Sequence, residues 1–142
     1  MGRMRVLVID DSPVARTALR QHLEHAAVDV FDLASAIGAT RAILQNGIDA
    51  VVVDVSMPGL SGDKLVDVLR SNSRLRGLVI VLVSAKPSAE LREIARTCAC
   101  DGVLSKDEVD GQLVPLLKRL VLSKADPLRT PRAVNPPAGT TK

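Results

Sequence analysis

Three stretches of this chain, Val6–Ile9, Ala50–Val53 and Leu78–Val83, are almost uninterrupted Val, Ile and Leu. A strand with one wet face alternates apolar and polar side chains. A strand that is apolar at every position is buried on both faces, as in a parallel sheet covered by helices. Two further runs, Val28–Phe31 and the short Val103–Leu104, bring the set to five. Helical patterns fill the gaps. Ser12 can cap a first helix with Pro13 at its first position, and Ala15, Leu19 and Leu23 recur along one face. A second helix is expected over Ala34–Leu44, stopping at Asn46-Gly47. A third follows Gly62, with Leu65, Val66 and Leu69 on one side. A fourth begins near Ser88 and carries Leu91, Ile94 and Ala95. The last shows Leu113, Leu116, Leu117, Leu120 and Val121. Pro115 interrupts that pattern: either the helix starts late, with Pro115 in its first turn, or its start is bent. Strand and helix alternating over about 120 residues define an open, doubly wound α/β sheet. Right-handed crossovers then put the C-terminal end of every strand on one edge.

Composition narrows the function. The 142 residues are 46% hydrophobic and 25% charged, ordinary for one globular domain. Phe31 is the only aromatic residue, so the core must be aliphatic. The formal net charge of +3 is small, and Lys124, Arg129, Arg132 and Lys142 put much of the basic excess near the C-terminus. With no concentrated basic stripe and no stacking aromatics, direct nucleic-acid binding is not expected. No apolar run approaches the ~18 residues of a spanning helix, and MGRMRVLVIDD turns acidic too soon for a signal peptide. A cytoplasmic protein without membrane insertion is expected. Cys98 and Cys100 alternate with alanines in TCAC and cannot staple distant segments. A reducing compartment and a role as small buried side chains fit them best. From about Lys124 the pattern stops, and DPLRTPRAVNPPAGTTK is rich in Pro, Ala and Thr. The folded unit is expected over 1–123, with a disordered tail or linker over 124–142.

The strands end in chemistry. Asp10 and Asp11 follow the first strand and Asp54 closes the third, so all three carboxylates fall on the sheet edge where open α/β folds bind ligands. Left alone they would repel one another and resist desolvation. A hard divalent cation, with Mg2+ the natural candidate, resolves both problems. Ser84 ends the fourth strand and Lys106 the fifth. A hydroxyl and an ammonium beside a metal and a carboxylate make a site for a tetrahedral oxyanion. No Gly-rich phosphate loop and no cysteine–histidine site is present. A carboxylate can itself accept a phosphoryl group, and Asp54, alone on the middle strand, is the best candidate.

VLVIDDS at 6–12, VVVDVSMPGLSG at 51–62, VLVSA at 81–85 and LSK at 104–106 together resemble the receiver domain of two-component response regulators, over about residues 4–122. The resemblance implies a flavodoxin-like, five-stranded parallel sheet in the order 2-1-3-4-5 with five flanking helices. It implies a signalling switch in which Asp54 takes a phosphoryl group from a histidine kinase or a histidine phosphotransfer protein. Asp11, Asp54 and the backbone carbonyl of Ser56 would bind Mg2+, with Asp10 acting mostly through water. Ser84 would hydrogen-bond a phosphoryl oxygen, and Lys106 would pair with Asp54 and then with the phosphoryl group. The site would slowly hydrolyse its own aspartyl phosphate, which is self-directed chemistry rather than turnover. Its output would be a downstream protein or a further domain. The face built from the fourth helix, fifth strand and fifth helix would be the contact surface, also for a homodimer.

Two positions depart from the family pattern. Val103 stands where relatives usually carry a Tyr or Phe that swings inward on activation, and valine is stiff at χ1. Asp107 replaces a common proline after the lysine, so a trans peptide bond is expected there. Val103 supports an alternative reading, a constitutive interaction module that is poorly phosphorylated. A small-molecule phosphatase with an aspartyl intermediate fits less well, because Ser56 stands where such an enzyme needs a second acid.

Overall fold

The computed structural model describes residues 2–85 and 88–125. The elements in chain order are β1 (Arg5–Ile9), α1 (Pro13–His25), β2 (Asp29–Leu33), α2 (Ala39–Asn46), β3 (Ala50–Asp54), α3 (Gly62–Arg70), β4 (Val79–Ser84), α4 (Ser88–Thr97), β5 (Gly102–Ser105) and α5 (Val109–Ala125). Short 3-10 turns at Ser73–Leu75 and Lys106–Glu108 precede β4 and α5. The five strands form one sheet in the order β2-β1-β3-β4-β5, and every pairing is parallel.

The continuous apolar runs are buried on both faces, as expected. Leu7, Ile9, Val51, Val53, Ile80 and Leu82 pack with Ile43 of α2 and with Leu65, Val66 and Leu69 of α3. Their neighbours Val6, Val8, Ala50, Val52, Val79, Val81 and Val83 point the other way, onto Leu19 and Leu23 of α1 and Leu113 and Leu117 of α5. Each fully buried aliphatic side chain contributes roughly 1.5–3 kcal/mol. With both faces of β1, β3 and β4 filled this way, the strand register is fixed, because a one-residue slip would exchange the two cores.

Some boundaries differ from expectation. Helix α2 begins at Ala39, not Ala34. Ser35 Oγ accepts from the Ile37 N–H, and Gly38 takes a left-handed φ of 83°, so residues 35–38 form a turn instead of a first helical turn. At the other end Gly47, with φ 60°, is the expected C-terminal stop. The late start of α5 is also overturned. Ser105 Oγ accepts from the Asp107 N–H and Glu108 accepts from the Ser105 N–H, a capping box that starts the chain winding at Lys106. Pro115 therefore lies inside α5, at an exposed position. Helix α5 runs two residues past the expected limit, to Ala125. The rest of the expected tail, 126–142, lies outside the described residues. No helix among the described residues is long and apolar enough to cross a membrane.

Candidate functional site

Parallel pairing brings the strand ends together. Ile9 is in register with Val53, Asp54 with Val83, and Ser84 with Ser105. Asp10, Asp54, Ser84 and Lys106 are therefore each the last or next residue on one sheet edge. Asp11, Ser56 and the loop to α3 lie just beyond. Helix α1 starts directly behind Asp11: Ser12 Oγ accepts from the Ala15 N–H at 3.2 Å and Pro13 takes the first helical position, both as expected.

Asp10 and Asp54 are buried, and Asp11 is exposed. One oxygen from each carboxylate lies within 4.8 Å of the others, close enough for one cation to touch all three. Asp10 is the most constrained. Its Oδ1 accepts from the Ser12 N–H at 2.9 Å, its Oδ2 from Lys106 Nζ at 3.2 Å, and its carbonyl from Arg16 Nη1 at 2.7 Å. Asp54 Oδ1 accepts from the Ser56 N–H at 3.3 Å and stands 3.8 Å from Lys106 Nζ. The expected pairing of Lys106 with Asp54 is therefore the longer of two, and the shorter goes to fully buried Asp10. Ser84 is fully buried at the end of β4.

The Asp54 carboxyl is pushed above the usual carboxylate range. Burial is the main cause and the charge of Asp10 the next; Lys106 and the Ser56 N–H pull the other way. Burial and a like charge both disfavour the ionised form, and a cation between the two carboxylates would relieve both. The donor set is all oxygen and anionic, which suits a hard divalent ion.

The loop after Asp54 is shaped for close approach. Met57 is buried in the core and Gly59 takes φ 84°. The Gly62 N–H donates to the Val55 carbonyl at 2.9 Å. A Cβ on Gly62 would lie 2.5 Å from the Asp54 carbonyl oxygen and 2.9 Å from Val55 Cα. Only glycine lets α3 begin against the backbone of the proposed acceptor.

Sequence reasoning missed Arg16. A basic side chain near the N-terminal end of α1 runs against the helix dipole, and no acid occupies that first turn. That mismatch was the available signal that Arg16 serves something outside its helix, here the Asp10 carbonyl. Val103 is partly buried against the core beside α4 residues. No cis peptide bond occurs among the described residues, so the Lys106–Asp107 bond is trans, as expected. Of the histidines, His25 is exposed, and His22 lies half-buried 3.6 Å from Asp110 on α5. Neither belongs to this edge.

A family profile for the response regulator receiver domain matches residues 6–118. The chain belongs to this family. It is 32% identical over 122 residues, 84% of its length, to the sensory/regulatory protein RpfC of Xanthomonas campestris, of which it covers 17%. It is 30% identical over 117 residues, 82% of its length, to the transcriptional regulatory protein PrrA of Mycobacterium tuberculosis, of which it covers 49%. The chain thus spans half or less of the length of these relatives. Among solved structures, a sensor protein from a Polaromonas species superposes with a TM-score of 0.79 at 30% identity, covering 87% of this chain and 100% of that one. The receiver fold and its sheet order are those expected from the motifs, and a role in phosphorylation-based signalling follows from the family and the acidic cluster.

Proposed function

We propose that this receiver accepts a phosphoryl group on Asp54 from a histidine kinase or histidine phosphotransfer partner and passes the signal to a downstream protein. The observation that carries the reading is Asp54 itself. It is a buried carboxylate on the middle strand, within reach of Asp10 and Asp11 and 3.8 Å from the Lys106 ammonium.

In the transfer, an Asp54 carboxylate oxygen attacks phosphorus. The oxygen–phosphorus bond forms as the bond to the donor nitrogen breaks, and the imidazole leaves with the electron pair and takes up a proton. Lys106 offers a mobile ammonium to the charge gathering on the transferred oxygens. Ser84, at the end of β4, donates its hydroxyl to a phosphoryl oxygen once transfer is complete. Asp11, Asp54 and the Ser56 carbonyl would hold Mg2+. Asp10, whose two carboxylate oxygens already engage Ser12 and Lys106, would act toward it through water. Bound there, the cation neutralises the acids and supplies positive charge to the transferring group. Slow loss of the phosphoryl group follows from water attack on phosphorus. Ser56 is small and exposed and gives little shielding. The contact through α4, β5 and α5, with a partner or a second copy, is proposed by likeness to the family.

Val103 favours a second reading, a constitutive binding module. Its short side chain is already packed against the core and lacks the lever of an aromatic ring. Intact mass spectrometry with Mg2+ and acetyl phosphate separates the two. One added phosphoryl group in the wild type, absent in Asp54→Asn and reduced in Lys106→Ala, is expected. A wild type that stays unmodified would favour the binding module.

A further inference from the structure

Two features stand outside the transfer chemistry proposed above. Cys98 and Cys100 are partly exposed, not the small buried side chains expected, and burial pushes both thiols up, toward the unreactive form. The other feature is the turn that carries Lys106, and it bears directly on the acceptor site.

Lys106 reaches Asp10 at 3.2 Å and Asp54 at 3.8 Å. A lysine stem is long and flexible, so an ammonium held at one place costs side-chain entropy and depends on a fixed backbone beneath it. That backbone is bonded on both sides. Glu108 Oε1 accepts from the Ser105 N–H at 2.9 Å, and Ser105 Oγ accepts from the Asp107 N–H at 3.0 Å. Lys106 is the residue enclosed between the two bonds. Gln112 Nε2, one turn along α5, approaches the other Glu108 oxygen at 3.4 Å. Ser105 is itself in register with Ser84 on the neighbouring strand, so the enclosed turn starts at the edge where the acceptor lies.

The residue after the lysine makes this closure possible. A proline there would fix one dihedral through its ring but would have no N–H. Asp107 keeps its N–H, and that N–H is the donor to Ser105 Oγ. Two hydrogen bonds thus supply the restraint that a ring would otherwise give. The Asp107 and Glu108 side chains are exposed, so core packing does not explain them.

We propose, on the reading that Asp54 is the acceptor, that Ser105 and Glu108 are positioning residues: their capping box holds the Lys106 ammonium against Asp10 and Asp54 and so sets the rate of phosphoryl acceptance. Neither residue touches the phosphoryl group. Glu108 contributes an acceptor for the Ser105 N–H. Glutamine at 108 supplies that acceptor too, whereas alanine supplies none.

The test compares Ser105→Ala, Glu108→Ala and Glu108→Gln with the wild-type chain in two readouts, with urea denaturation alongside. The first needs no phosphoryl donor. Lysines are acetylated with an N-hydroxysuccinimide ester and mapped by tandem mass spectrometry, with exposed Lys64 and Lys118 as internal references. Relative to those references, Lys106 should be labelled about threefold faster in both alanine variants and near the wild-type rate in Glu108→Gln, as for the loss of one helix cap. The second readout is the initial rate of phosphorylation by acetyl phosphate at saturating Mg2+, followed by intact mass. It should fall about threefold to tenfold in both alanine variants and stay within about twofold in Glu108→Gln. In a Lys106→Ala background, Ser105→Ala and Glu108→Ala should slow it no further. A box that only caps α5 would lower the urea midpoint and leave Lys106 labelling and the phosphorylation rate unchanged, and that result would overturn the proposal. So would a Glu108→Gln variant as impaired as Glu108→Ala, or a loss that persists in full without Lys106. A wild type that takes no phosphoryl group would sink the acceptor reading instead, and the labelling would still decide whether the box holds Lys106.

Discussion

The Lys106 ammonium lies 3.2 Å from Asp10 Oδ2, closer than its 3.8 Å approach to Asp54. Asp10 is fully buried, so it has the greater need of a cation. The lysine is thereby held over the site by a residue other than the proposed acceptor, with Asp54 3.8 Å away. Lys106→Ala should remove this support and leave three carboxylates facing one another. Because Lys106 is about a third exposed, we expect a loss of about 1–3 kcal/mol without divalent cation. Urea denaturation with and without Mg2+ checks this, and added Mg2+ should recover much of the loss.

Asp54 makes a prediction about pH. Its folded pKa is raised, by burial first and Asp10 second. The stabilising contribution of its protonated form is therefore complete below the unfolded value of 3.8 and is lost as pH rises through the folded value. At pH 7, without divalent cation, the ionised carboxylate costs stability. Asp54→Asn should then melt above the wild type, and the gap should close as the pH is lowered toward the unfolded value. A calorimetric pH series in chelator measures it. Phosphoryl acceptance should likewise fall away above the ordinary carboxylate range as the solution is acidified.

Gly62 tests the shape of the acceptor loop. In Gly62→Ala the added carbon meets backbone, not a flexible side chain, so Asp54 or the start of α3 must shift. The expected cost is about 1–3 kcal/mol, with a loss of phosphoryl acceptance larger than the stability change explains. Denaturation and the mass assay on the same preparation separate the two effects.

At the opposite end of the sheet, Asp101 is buried between Arg70 Nη2 at 2.7 Å and Lys124 Nζ at 3.1 Å, and also accepts from the Ile80 N–H. Arg70 further bonds the carbonyls of Leu78 and Ala99. Arg70→Ala should cost about 1–3 kcal/mol in chemical denaturation, because it removes the closer of the two cations on the Asp101 carboxylate and the side-chain donor to the Ala99 carbonyl, while Lys124 stays on Asp101 and on the Leu78 carbonyl. Phosphoryl acceptance at neutral pH should be unchanged.

The contrast between these two ends explains what the sequence made legible. The acidic edge could be read because strand polarity alone collects Asp10, Asp54, Ser84 and Lys106 there. The Arg70–Asp101–Lys124 cluster could not, because its members come from α3, the loop before β5 and α5, and nothing local marks them as partners. The same holds for the preference of Lys106 for Asp10, which depends on burial. The two boundary errors were local. At α2, a Ser35 turn and Gly38 outweighed the apolar pattern, and at α5 a capping box outweighed Pro115.

The central claim is tested most directly by locating the phosphoryl group. The wild type is treated with Mg2+ and acetyl phosphate, digested at low temperature and mapped by tandem mass spectrometry. The claim predicts a single phosphoryl group on Asp54, absent when Mg2+ is chelated. A phosphoryl group on another residue, or none at all, would contradict it.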